Sequence, residues 1–380
     1  MRIAQVIPYF ARRRGGPATS TESLSIELSR LGHDVTILTT DVQWDSELRG
    51  SVENANVTVL SFPHLIEKRQ FIFSPSMKAW LKGNGGKFDI FHMHEFRSYQ
   101  NKIVHDCAVQ NHIPYVLQAH GSVLPFFEKT LLKKAYDLVW GESILDDASR
   151  VIALNHMEFG QYRAMGVEGG RIEIVSNGIR LEDFQILPER GHFRKMLGIA
   201  SSDKLVLYIG RIHRIKGIDL LLDAFSEIEK RIGQTRLAIV GPDDGYLPCV
   251  NEKIETLGLS NRVLVVDALY GARKLEAYVD ADVLVLPSSY EIFGNVLIES
   301  LACGTPVIMT DRCGIADLIR DVGGRVIPYD TGSLSEALLD LLENDEKRRL
   351  LGENGSRLVR ERFDWSKIVI EVESLYRKCI

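Results

Sequence analysis

Short apolar runs alternate with segments of helical periodicity along the first half of the chain. Residues 3–8 form a β-type run, residues 11–17 a basic glycine-rich loop, and residues 20–31 a helix pattern with leucines on one face. A second strand-like run at residues 34–39 completes a β-α-β unit. Further strand-like runs follow at residues 57–60, 88–92, 115–119, 150–154 and 172–175. The first half is therefore predicted to be a doubly wound α/β domain.

The pattern is interrupted between residues 181 and 197, where Pro188 and Gly191 break both periodicities. The alternation then restarts, with strands predicted at 205–209, 236–240, 262–266, 283–286 and 305–309 and helices at 219–230 and 333–343. The sequence thus predicts an α/β fold with two Rossmann-like doubly wound domains, residues 1–180 and 181–361. The last segment, about residues 362–380, has helical periodicity and must pack on a domain already formed.

Length and composition agree with two soluble globular domains. A chain of 380 residues exceeds what one hydrophobic core usually serves. A hydrophobic fraction of 45%, a charged fraction of 26% and a net charge of −5 argue against a nucleic-acid-binding protein. The five cysteines lack C-x-x-C spacing, which argues against a disulfide framework or a zinc ribbon. Since neither a signal-peptide pattern nor a run of eighteen apolar residues is found, we expect a cytoplasmic protein.

The stretch SSYEIFGNVLIESLACGTPVIMT at residues 288–310 carries two carboxylates, Glu291 and Glu299, at E-x7-E spacing. It follows an apolar run and leads into a helical segment, so it is predicted to be a strand-to-helix turn, where unpaired helix amides suit a phosphate. If the helix begins near Phe293, the carboxylates lie about 10 Å apart along its axis and could grip both ends of an extended ligand. Alternatively, Ser288-x-x-Glu291 is a capping box and Glu299 an ordinary surface residue.

A second turn, GRIHRIKG at residues 210–217, places Arg211 and Lys216 directly after an apolar strand-like run. Two cations at the carboxyl end of a strand suit a diphosphate, because charge-assisted hydrogen bonds are stronger than neutral ones and a departing phosphate gains charge. A solvated basic loop would have the same composition. The combination with the E-x7-E spacing favours the diphosphate site.

Six segments together resemble glycosyltransferase family 4, and the resemblance covers nearly the whole chain. They are RRRGG at 12–16, DIFHMH at 89–94, AHGS at 119–122, VSNGI at 175–179, GRIHRIKG at 210–217 and EIFGNVLIE at 291–299. The resemblance implies a GT-B fold, in which two Rossmann-like domains face each other across a cleft and the C-terminal helix packs back on the first. It also implies a retaining transfer of a hexose from a nucleotide diphosphate sugar, with a UDP- or GDP-sugar as the expected donor.

The resemblance also assigns roles to individual residues. Arg211 and Lys216 would hold the donor diphosphate, Glu291 the hydroxyls of the transferred sugar, and Glu299 the nucleotide ribose. His120 would lie beside that sugar as a hydrogen-bonding residue. The further substrate-binding candidates are Gly15 and Gly16 on the acceptor side, His94 and Asn177, and the backbone amides of Phe293, Gly294, Asn295 and Val296.

Three positions depart from the family pattern. Ile292 stands where a glycine or proline is common, and Cys313 and Asp317 stand where a glycine and a glutamate are usual. All three lie near the expected donor site, so the identity of the sugar stays open. The segment 266–271, where the base is expected, does not distinguish uracil, guanine and adenine.

No metal ion or other cofactor is expected. The D-x-D pair Asp280 and Asp282 precedes the strand predicted at 283–286, whereas ligands of open α/β sheets gather beyond the carboxyl ends of strands. Asp282 is therefore interpreted as a helix-to-strand connector, and the phosphate charge is assigned to Arg211, Lys216 and helix amides. The histidines of the H-x-H pair, with His120, suit either zinc or a pocket lining, and the lining is favoured.

The expected partners are a nucleotide-sugar donor and an acceptor hydroxyl on a glycan, a lipid-linked glycan or a small polyol, as in polysaccharide biosynthesis. Residues 68–87 mix aromatic side chains with cations. They could contact an anionic membrane peripherally, at the inner face of the cell membrane, or form an amphipathic helix over the core. A GT-B epimerase or phosphorylase and a non-catalytic nucleotide-sugar-binding protein are the alternative functions.

Overall fold

The computed structural model describes residues 1–68, 71–124 and 130–380 and divides the chain into two compact units. Unit 1 comprises Met1–Asn177 and Trp365–Ile380, and unit 2 comprises Gly178–Asp364. Two residues of the segment 68–87, Arg69 and Gln70, lie outside the described residues.

Unit 1 contains nine strands in its described part. They are β1 (Arg2–Tyr9), β2 (Asp34–Thr40), β3 (Thr58–Phe62), β4 (Ile66–Lys68), β5 (Phe71–Phe73), β6 (Ile90–His94), β7 (Tyr115–Gln118), β8 (Arg150–Ala153) and β9 (Ile172–Ile174). Seven of them form a parallel sheet in the order β3-β2-β1-β6-β7-β8-β9, while β4 and β5 pair antiparallel. The order reverses between β1 and β6, which is the position where ligands bind in such sheets.

Helices cover both faces of this sheet. They are α1 (Gly16–Arg30), α2 (Ser46–Glu53), α3 (Pro75–Asn84), α4 (Tyr99–Asn111), α5 (Thr130–Tyr136), α6 (Glu142–Asp146) and α7 (His156–Ala164), with a π-helical stretch at Asp137–Gly141. Alternate residues of β1 point to opposite faces, so that Ile3 and Ala4 enter two different apolar clusters. Buried Met77 of α3 and Ile103 of α4 pack with Ala4, whereas Leu24 of α1 packs with Ile3.

Unit 2 has six parallel strands in the order β12-β11-β10-β13-β14-β15. The strands are β10 (Lys204–Ile209), β11 (Thr235–Val240), β12 (Val263–Val266), β13 (Val283–Leu286), β14 (Val307–Thr310) and β15 (Gly324–Ile327). The helices are α8 (His192–Leu197), α9 (Ile218–Glu229), α10 (Leu247–Thr256), α11 (Gly271–Asp280), α12 (Asn295–Ala302), α13 (Ala316–Ile319), α14 (Thr331–Leu342) and α15 (Asp345–Arg362). The order reverses between β10 and β13, which places their carboxyl ends side by side.

The chain ends with α16 (Trp365–Cys379), which belongs to unit 1. Its buried residues Trp365, Ile368, Val372 and Tyr376 share the apolar cluster of Leu24. The predicted packing of the C-terminal helix on the first domain is thus confirmed, as is the α/β fold with two Rossmann-like parallel sheets. The interrupted stretch at 181–197 contains a short 3-10 turn and α8.

A buried carboxylate fixes the turn that follows β7. Glu158 of α7 accepts hydrogen bonds from the backbone N–H of Gly121 at 2.6 Å and of Leu154 at 2.8 Å. The hydroxyl of Tyr162, one turn along the same helix, accepts from the N–H of Ala119 at 3.0 Å. Burial raises the pKa of Glu158 to about 7, although the two amides act in the opposite direction. The conformation of this turn therefore depends on a carboxyl group that titrates near neutrality.

Replacing Glu158 with glutamine should alter the pH dependence of stability. The pKa of Glu158 in the native protein lies above its ordinary value of 4.5. Its contribution to the free energy of unfolding is therefore fully present below pH 4.5 and is lost as the pH rises to about 7. We expect the free energy of unfolding of the wild type, relative to Glu158→Gln, to fall by about 3 kcal/mol over that range. Urea unfolding at pH values between 4 and 8 measures this difference. A difference that does not change with pH would contradict the raised pKa.

Candidate functional site

Two loops at the carboxyl ends of β10 and β13 are held together by backbone contacts. Gly217 has a φ of 69°, and a Cβ atom added there would lie 1.9 Å from the carbonyl oxygen of Pro287. Ser289 donates from its N–H at 2.8 Å and from its hydroxyl at 3.0 Å to the carbonyl of Ile215. Only glycine at position 217 permits both the close approach and the left-handed backbone. The two predicted ligand-binding turns are therefore one rigid surface.

Lys216 and Glu291 meet on this surface. The Nζ of Lys216 donates to Glu291 Oε2 at 2.6 Å, and the side chains are 13% and 16% exposed. A lysine ammonium has three protons to donate, so this ion pair leaves donors for an anionic ligand. The structure thus brings together the residues to which the sequence assigned the diphosphate and the transferred sugar.

Arg211 lies in the same loop but binds a different partner. Its guanidinium donates to Asp244 Oδ2 at 2.5 Å, and both side chains are nearly half exposed. Within the described ranges, the carboxylate of Glu291 is paired with Lys216 and not with Arg211. An exposed ion pair of this kind contributes little and can be exchanged at small cost for a phosphate contact.

The turn after Glu291 enters its helix later than the sequence indicated. Gly294 adopts a left-handed conformation with a φ of 75°, and α12 begins at Asn295 instead of near Phe293. A Cβ at position 294 would lie 2.9 Å from Leu297 and 3.1 Å from Leu286, so the position favours glycine by space as well as by φ. The amides of Phe293 and Gly294 therefore belong to the turn, and those of Asn295 and Val296 to the first turn of α12.

Two of the three departures from the family pattern are buried. Ile292 and Cys313 are 4% and 3% exposed, and the thiol of Cys313 donates to the carbonyl of Phe293 at 3.5 Å. Glu291 is joined to the same segment, since its carbonyl accepts from Gly314 N–H at 2.9 Å. The side chain of Asp317, in contrast, is 98% exposed. Only this third departure presents its side chain fully to solvent.

Glu299, on α12, is held by two residues that the sequence reasoning missed. Its Oε2 accepts from the Tyr278 hydroxyl at 2.6 Å and from Lys274 Nζ at 2.5 Å. Both partners lie on α11, four positions apart and hence on one helix face. Burial, followed by the Glu299 charge, raises the pKa of Tyr278 well above its ordinary value, which keeps the hydroxyl as a donor. The sequence signal for these two partners is the i, i+4 spacing of Lys274 and Tyr278, shortly after the segment 266–271 that is expected to contact the base.

The histidines of unit 1 form a hydrogen-bonded chain that ends near the turn after β7. His94 Nε2 bonds Gln5 Oε1 at 2.6 Å, and its Nδ1 bonds His120 Nε2 at 3.0 Å. The Tyr376 hydroxyl accepts from Gln5 Nε2 at 3.1 Å and lies 2.6 Å from His92 Nδ1. Both ring nitrogens of His94 are thus occupied by hydrogen bonds. This agrees with a buried lining residue, and burial lowers the pKa of His94 well below its ordinary value.

His120 occupies a left-handed position, with a φ of 51°, and is partly exposed as a residue although the Nδ1 atom of its ring is buried. Burial lowers the pKa of its imidazole to about 3, so the ring is neutral at physiological pH. Neutral His94 with its proton on Nε2 requires His120 to donate from Nε2. Within the described part of the chain, no group of three His, Cys, Asp or Glu side chains has the geometry to hold a metal ion.

The remaining predicted residues lie elsewhere in unit 1. Gly15 has a φ of 101° and Gly16 begins α1. The loop that leads to them is tied to the next strand connection, because Arg12 N–H donates to Asp45 Oδ2 at 3.0 Å. Asn177 is buried, with 4% exposure, at the last residue before unit 2.

The D-x-D pair is occupied by structural contacts. Asp282 Oδ2 accepts from Arg194 Nη2 at 2.8 Å and from Leu205 N–H at 2.7 Å, and its Oδ1 accepts from Arg190 Nη2 at 3.0 Å. Asp280 Oδ2 accepts from the N–H of Arg194 at 2.8 Å. Both carboxylates therefore connect α8 to the amino end of the sheet, which agrees with interpreting Asp282 as a connector.

The described part of the segment 68–87 covers the core with one face. Met77 and Leu81 of α3 are buried, whereas Lys78 and Lys82 are exposed. Trp80 packs against Phe62 with a centroid separation of 5.6 Å. None of the described helices combines the length and apolar character needed to cross a membrane.

Two family models match consecutive parts of the chain. The one described as Glycosyltransferase Family 4 matches residues 14–183, and the one described as Glycosyl transferases group 1 matches residues 189–358. The first match covers the glycine loop and the histidines, and the second covers both turns at the carboxyl ends of β10 and β13. Together they span nearly all of the structure described above.

Individual proteins agree with these matches over the full length. An uncharacterized glycosyltransferase of Methanocaldococcus jannaschii is 26% identical over 392 residues, covering 99% of this chain and 98% of that protein. The phosphatidyl-myo-inositol mannosyltransferase of Mycobacterium leprae is 28% identical over 389 residues, covering 99% and 96%. Anabaena HepE in complex with UDP-glucose has the same fold, with a TM-score of 0.81 at 20% identity over 99% of each chain. The chain belongs to glycosyltransferase family 4 and has the GT-B type of fold.

Proposed function

We propose that this glycosyltransferase moves a hexose from a nucleotide diphosphate sugar, UDP- or GDP-linked, to a hydroxyl of a glycan, lipid-linked glycan or small polyol, with retention of configuration. The observation that carries the proposal is the contact between Lys216 and Glu291 on the surface where the strand order of unit 2 reverses. A cation and a carboxylate side by side can bind the leaving phosphate and the hydroxyls of the sugar attached to it. The complex of Anabaena HepE with UDP-glucose supports this class of donor.

Different charged residues of unit 2 are proposed to bind the three parts of the donor, namely the diphosphate, the sugar and the ribose. Lys216 retains two unused N–H donors for the diphosphate, and Arg211 can exchange Asp244 for it. Glu291 would accept from sugar hydroxyls, and Glu299, further along α12, from the ribose. The amides of Phe293, Gly294, Asn295 and Val296 would add neutral donors. On unit 1, His120, Gly15 and Gly16 would serve the sugar and the acceptor.

In the proposed step, the bond from the sugar C1 to the phosphate oxygen breaks while the acceptor oxygen bonds C1 on the same face. The acceptor proton passes to the leaving phosphate oxygen, so no protein nucleophile is needed. Charge grows on the phosphate as the bond breaks, which makes Lys216 and Arg211 the electrostatic catalysts.

Thermal shift with UDP-, GDP- and ADP-sugars would identify the donor, because a ligand at 100 times its Kd stabilises the protein by about 2.7 kcal/mol. Release of nucleotide only when an acceptor is present would separate transfer from epimerase, phosphorylase or binding-only function.

Substitution of either cation should impair turnover more than folding. We expect Lys216→Ala and Arg211→Ala each to lower kcat by roughly 10²–10³, as a lost oxyanion donor does. Steady-state transfer assays with the identified donor measure this. Lys204→Ala is the matched control, since Lys204 pairs with Asp345 at 2.7 Å at the opposite end of the same strand. A kcat near normal in the Lys216 variant would exclude it from the diphosphate site.

The ribose assignment of Glu299 can be tested with the nucleotide alone. If Glu299 accepts from the ribose 2′-hydroxyl, UDP should bind the wild type about tenfold more tightly than 2′-deoxy-UDP, for one lost charge-assisted hydrogen bond. Glu299→Gln should abolish most of that preference, and Glu291→Gln should retain it. Calorimetric titration of both nucleotides gives the ratio. If GDP is the preferred nucleotide, the corresponding guanosine pair is used. Equal loss of the preference in both variants would contradict the division of roles.

Transfer is proposed to need no divalent metal. The donor charge is assigned to Lys216, Arg211 and backbone amides, while the carboxylates of Asp280 and Asp282 are bound by arginines and amides. We expect full activity after exhaustive EDTA treatment and dialysis, measured against untreated enzyme. If EDTA treatment abolished transfer and added magnesium or manganese restored it, the proposed site of Lys216, Arg211 and backbone amides would be incomplete.

Peripheral contact with an anionic membrane is also proposed. In unit 1, α3 presents lysines outward but buries its apolar face, whereas Leu131, Leu132, Leu138 and Val139 are 60–83% exposed around α5. With Lys134 on the same helix, this surface combines apolar and cationic side chains as interfacial helices do. Co-sedimentation with anionic vesicles at low salt should be reduced in a Leu131→Ser, Leu138→Ser variant and less so in Lys78→Ser. Absence of wild-type binding would favour a water-soluble acceptor.

A further inference from the structure

A groove opens along the free edge of the sheet in unit 1, beside the carboxyl ends of β2 and β3. It has a volume of about 510 Å³, and Asp41, Trp44, Arg49, Ser61, Phe62 and Trp80 are among its lining residues. Among the described strands of this sheet, β3 is the edge strand. The groove lies between α2, which carries Arg49, and α3, which carries Trp80. None of these residues has a part in the function proposed above.

Aromatic rings form the apolar part of this groove. Trp44 is 55% exposed, and the guanidinium of Arg49 lies over its ring at 4.6 Å from the centroid. Trp80 is partly exposed and packs against Phe62, which fixes the direction of its ring. Arg49 occupies one face of Trp44, and the high exposure of that indole leaves surface for a ligand. Ring surfaces of this kind accept flat apolar faces whose edges carry polar groups.

Polar groups without a full set of hydrogen bonds line the same groove. Asp41 Oδ1 accepts from the backbone N–H of His64 at 3.0 Å and lies 2.5 Å from its Nδ1, and the carboxylate is 43% exposed, which leaves it accessible to a ligand. Arg49 uses its Nε on Glu53 at 2.5 Å, and its two terminal nitrogens likewise have no described partner. The buried hydroxyl of Ser61 also lacks a partner among the described residues. The unpaired hydroxyl of Ser61 is buried, which costs free energy, whereas Asp41 and Arg49 are partly exposed and can exchange water for the hydroxyls of a ligand.

This combination matches the chemistry of a pyranose ring. Such a ring has one face of C–H groups for an indole, and hydroxyls on its edge that both donate and accept. A carboxylate oxygen lining such a groove can accept a hydrogen bond from one ring hydroxyl, and a guanidinium lining it can donate to another. An alkyl chain or an apolar peptide would satisfy the indoles but leave Asp41 and Arg49 unpaired.

The groove is also connected to the loop assigned to the acceptor. Arg14 Nε donates to Gln43 at 2.8 Å, and Arg12 binds Asp45 and Glu47, so the loop before α1 is tied to residues 43–47 beside Trp44. Strands β1, β2 and β3 are consecutive in the sheet, and neighbouring strands lie about 4.8 Å apart. The groove therefore lies toward the carboxyl ends of the strands, as Gly15 and Gly16 do, and roughly 10 Å from β1.

We propose that this groove is a carbohydrate subsite that binds one pyranose ring of an oligosaccharide acceptor, with Trp44 as stacking platform and Asp41 and Arg49 as hydrogen-bonding groups. The inference rests on the proposed transfer to a glycan and makes it more specific. A small polyol could occupy only one of the two places, the groove or the reacting position. An acceptor of several sugar units could place one ring in the groove while another ring presents the reacting hydroxyl.

Binding of simple glycosides tests the subsite without turnover. The probes are methyl α-D-glucopyranoside, methyl α-D-mannopyranoside and methyl α-D-galactopyranoside, followed by saturation-transfer NMR and calorimetry on the full chain saturated with UDP. We expect at least one of them to bind, and Trp44→Ala and Asp41→Asn each to weaken it at least about tenfold. Trp140→Ala is the matched control, because Trp140 is 38% exposed and does not line the groove. It should bind as the wild type does.

Other outcomes would overturn the proposal. No binding of any glycoside, or equal binding by wild type and Trp44→Ala, would exclude a sugar subsite here. Binding of a dodecyl chain, but of no glycoside, would assign the groove to lipid. Thermal shift of the variants with the nucleotide sugar provides the separate readout, since donor binding should be unchanged by Trp44→Ala. If the wild type itself binds no nucleotide sugar, that result would instead contradict the proposed function.

Discussion

The contact of Gly217 with the carbonyl of Pro287 is the constraint on which the arrangement of unit 2 depends. Residues 210–217 and 287–294 follow adjacent parallel strands, but adjacency alone leaves two loops free to diverge. A side chain at position 217 could not fit 1.9 Å from that carbonyl, and glycine permits the left-handed turn as well. Once the loops touch, Ser289 bonds Ile215, and Lys216 is placed within 2.6 Å of Glu291. A single backbone approach thus turns two motifs 75 positions apart into one ion pair.

The charged groups proposed to bind the donor all have partners within unit 2. Lys216 pairs with Glu291, Arg211 with Asp244, and Glu299 with Lys274 and Tyr278. Burial of an unpaired charge would be costly, so such pairing keeps the ligand-free site stable. The pairs differ in exposure, and Arg211, being nearly half exposed, is the group that can change partner most readily. Lys216 need not leave Glu291, because an ammonium can serve two acceptors at once.

Sequence patterns predicted the fold and the placement of the motifs for physical reasons that are local. Apolar runs flanked by turn residues define buried parallel strands, and both predicted turns follow such strands. The start of α12 at Asn295 was missed because helical periodicity does not reveal that Gly294 adopts a φ of 75°. The partners of Glu299 left one sequence signal, the i, i+4 spacing of Lys274 and Tyr278, but their contact depends on how α11 packs on α12. The contact of Glu158 with Gly121, 37 positions away, left no such signal, because it depends on the packing of α7 against the turn after β7. Tyr376 is the extreme case, 371 positions from Gln5.

Burial of Ile292 and Cys313 changes how the departures from the family pattern should be understood. Neither side chain is exposed enough to contact a sugar, yet the thiol of Cys313 binds the carbonyl of Phe293, directly before the left-handed Gly294 that precedes α12. A side chain at 313 that is larger than the usual glycine therefore acts on the position of the backbone amides proposed to face the donor. Such a change would alter sugar preference through the placement of backbone donors, with no new contact between side chain and sugar. Asp317, which is almost fully exposed, is the departure that can contact a ligand directly.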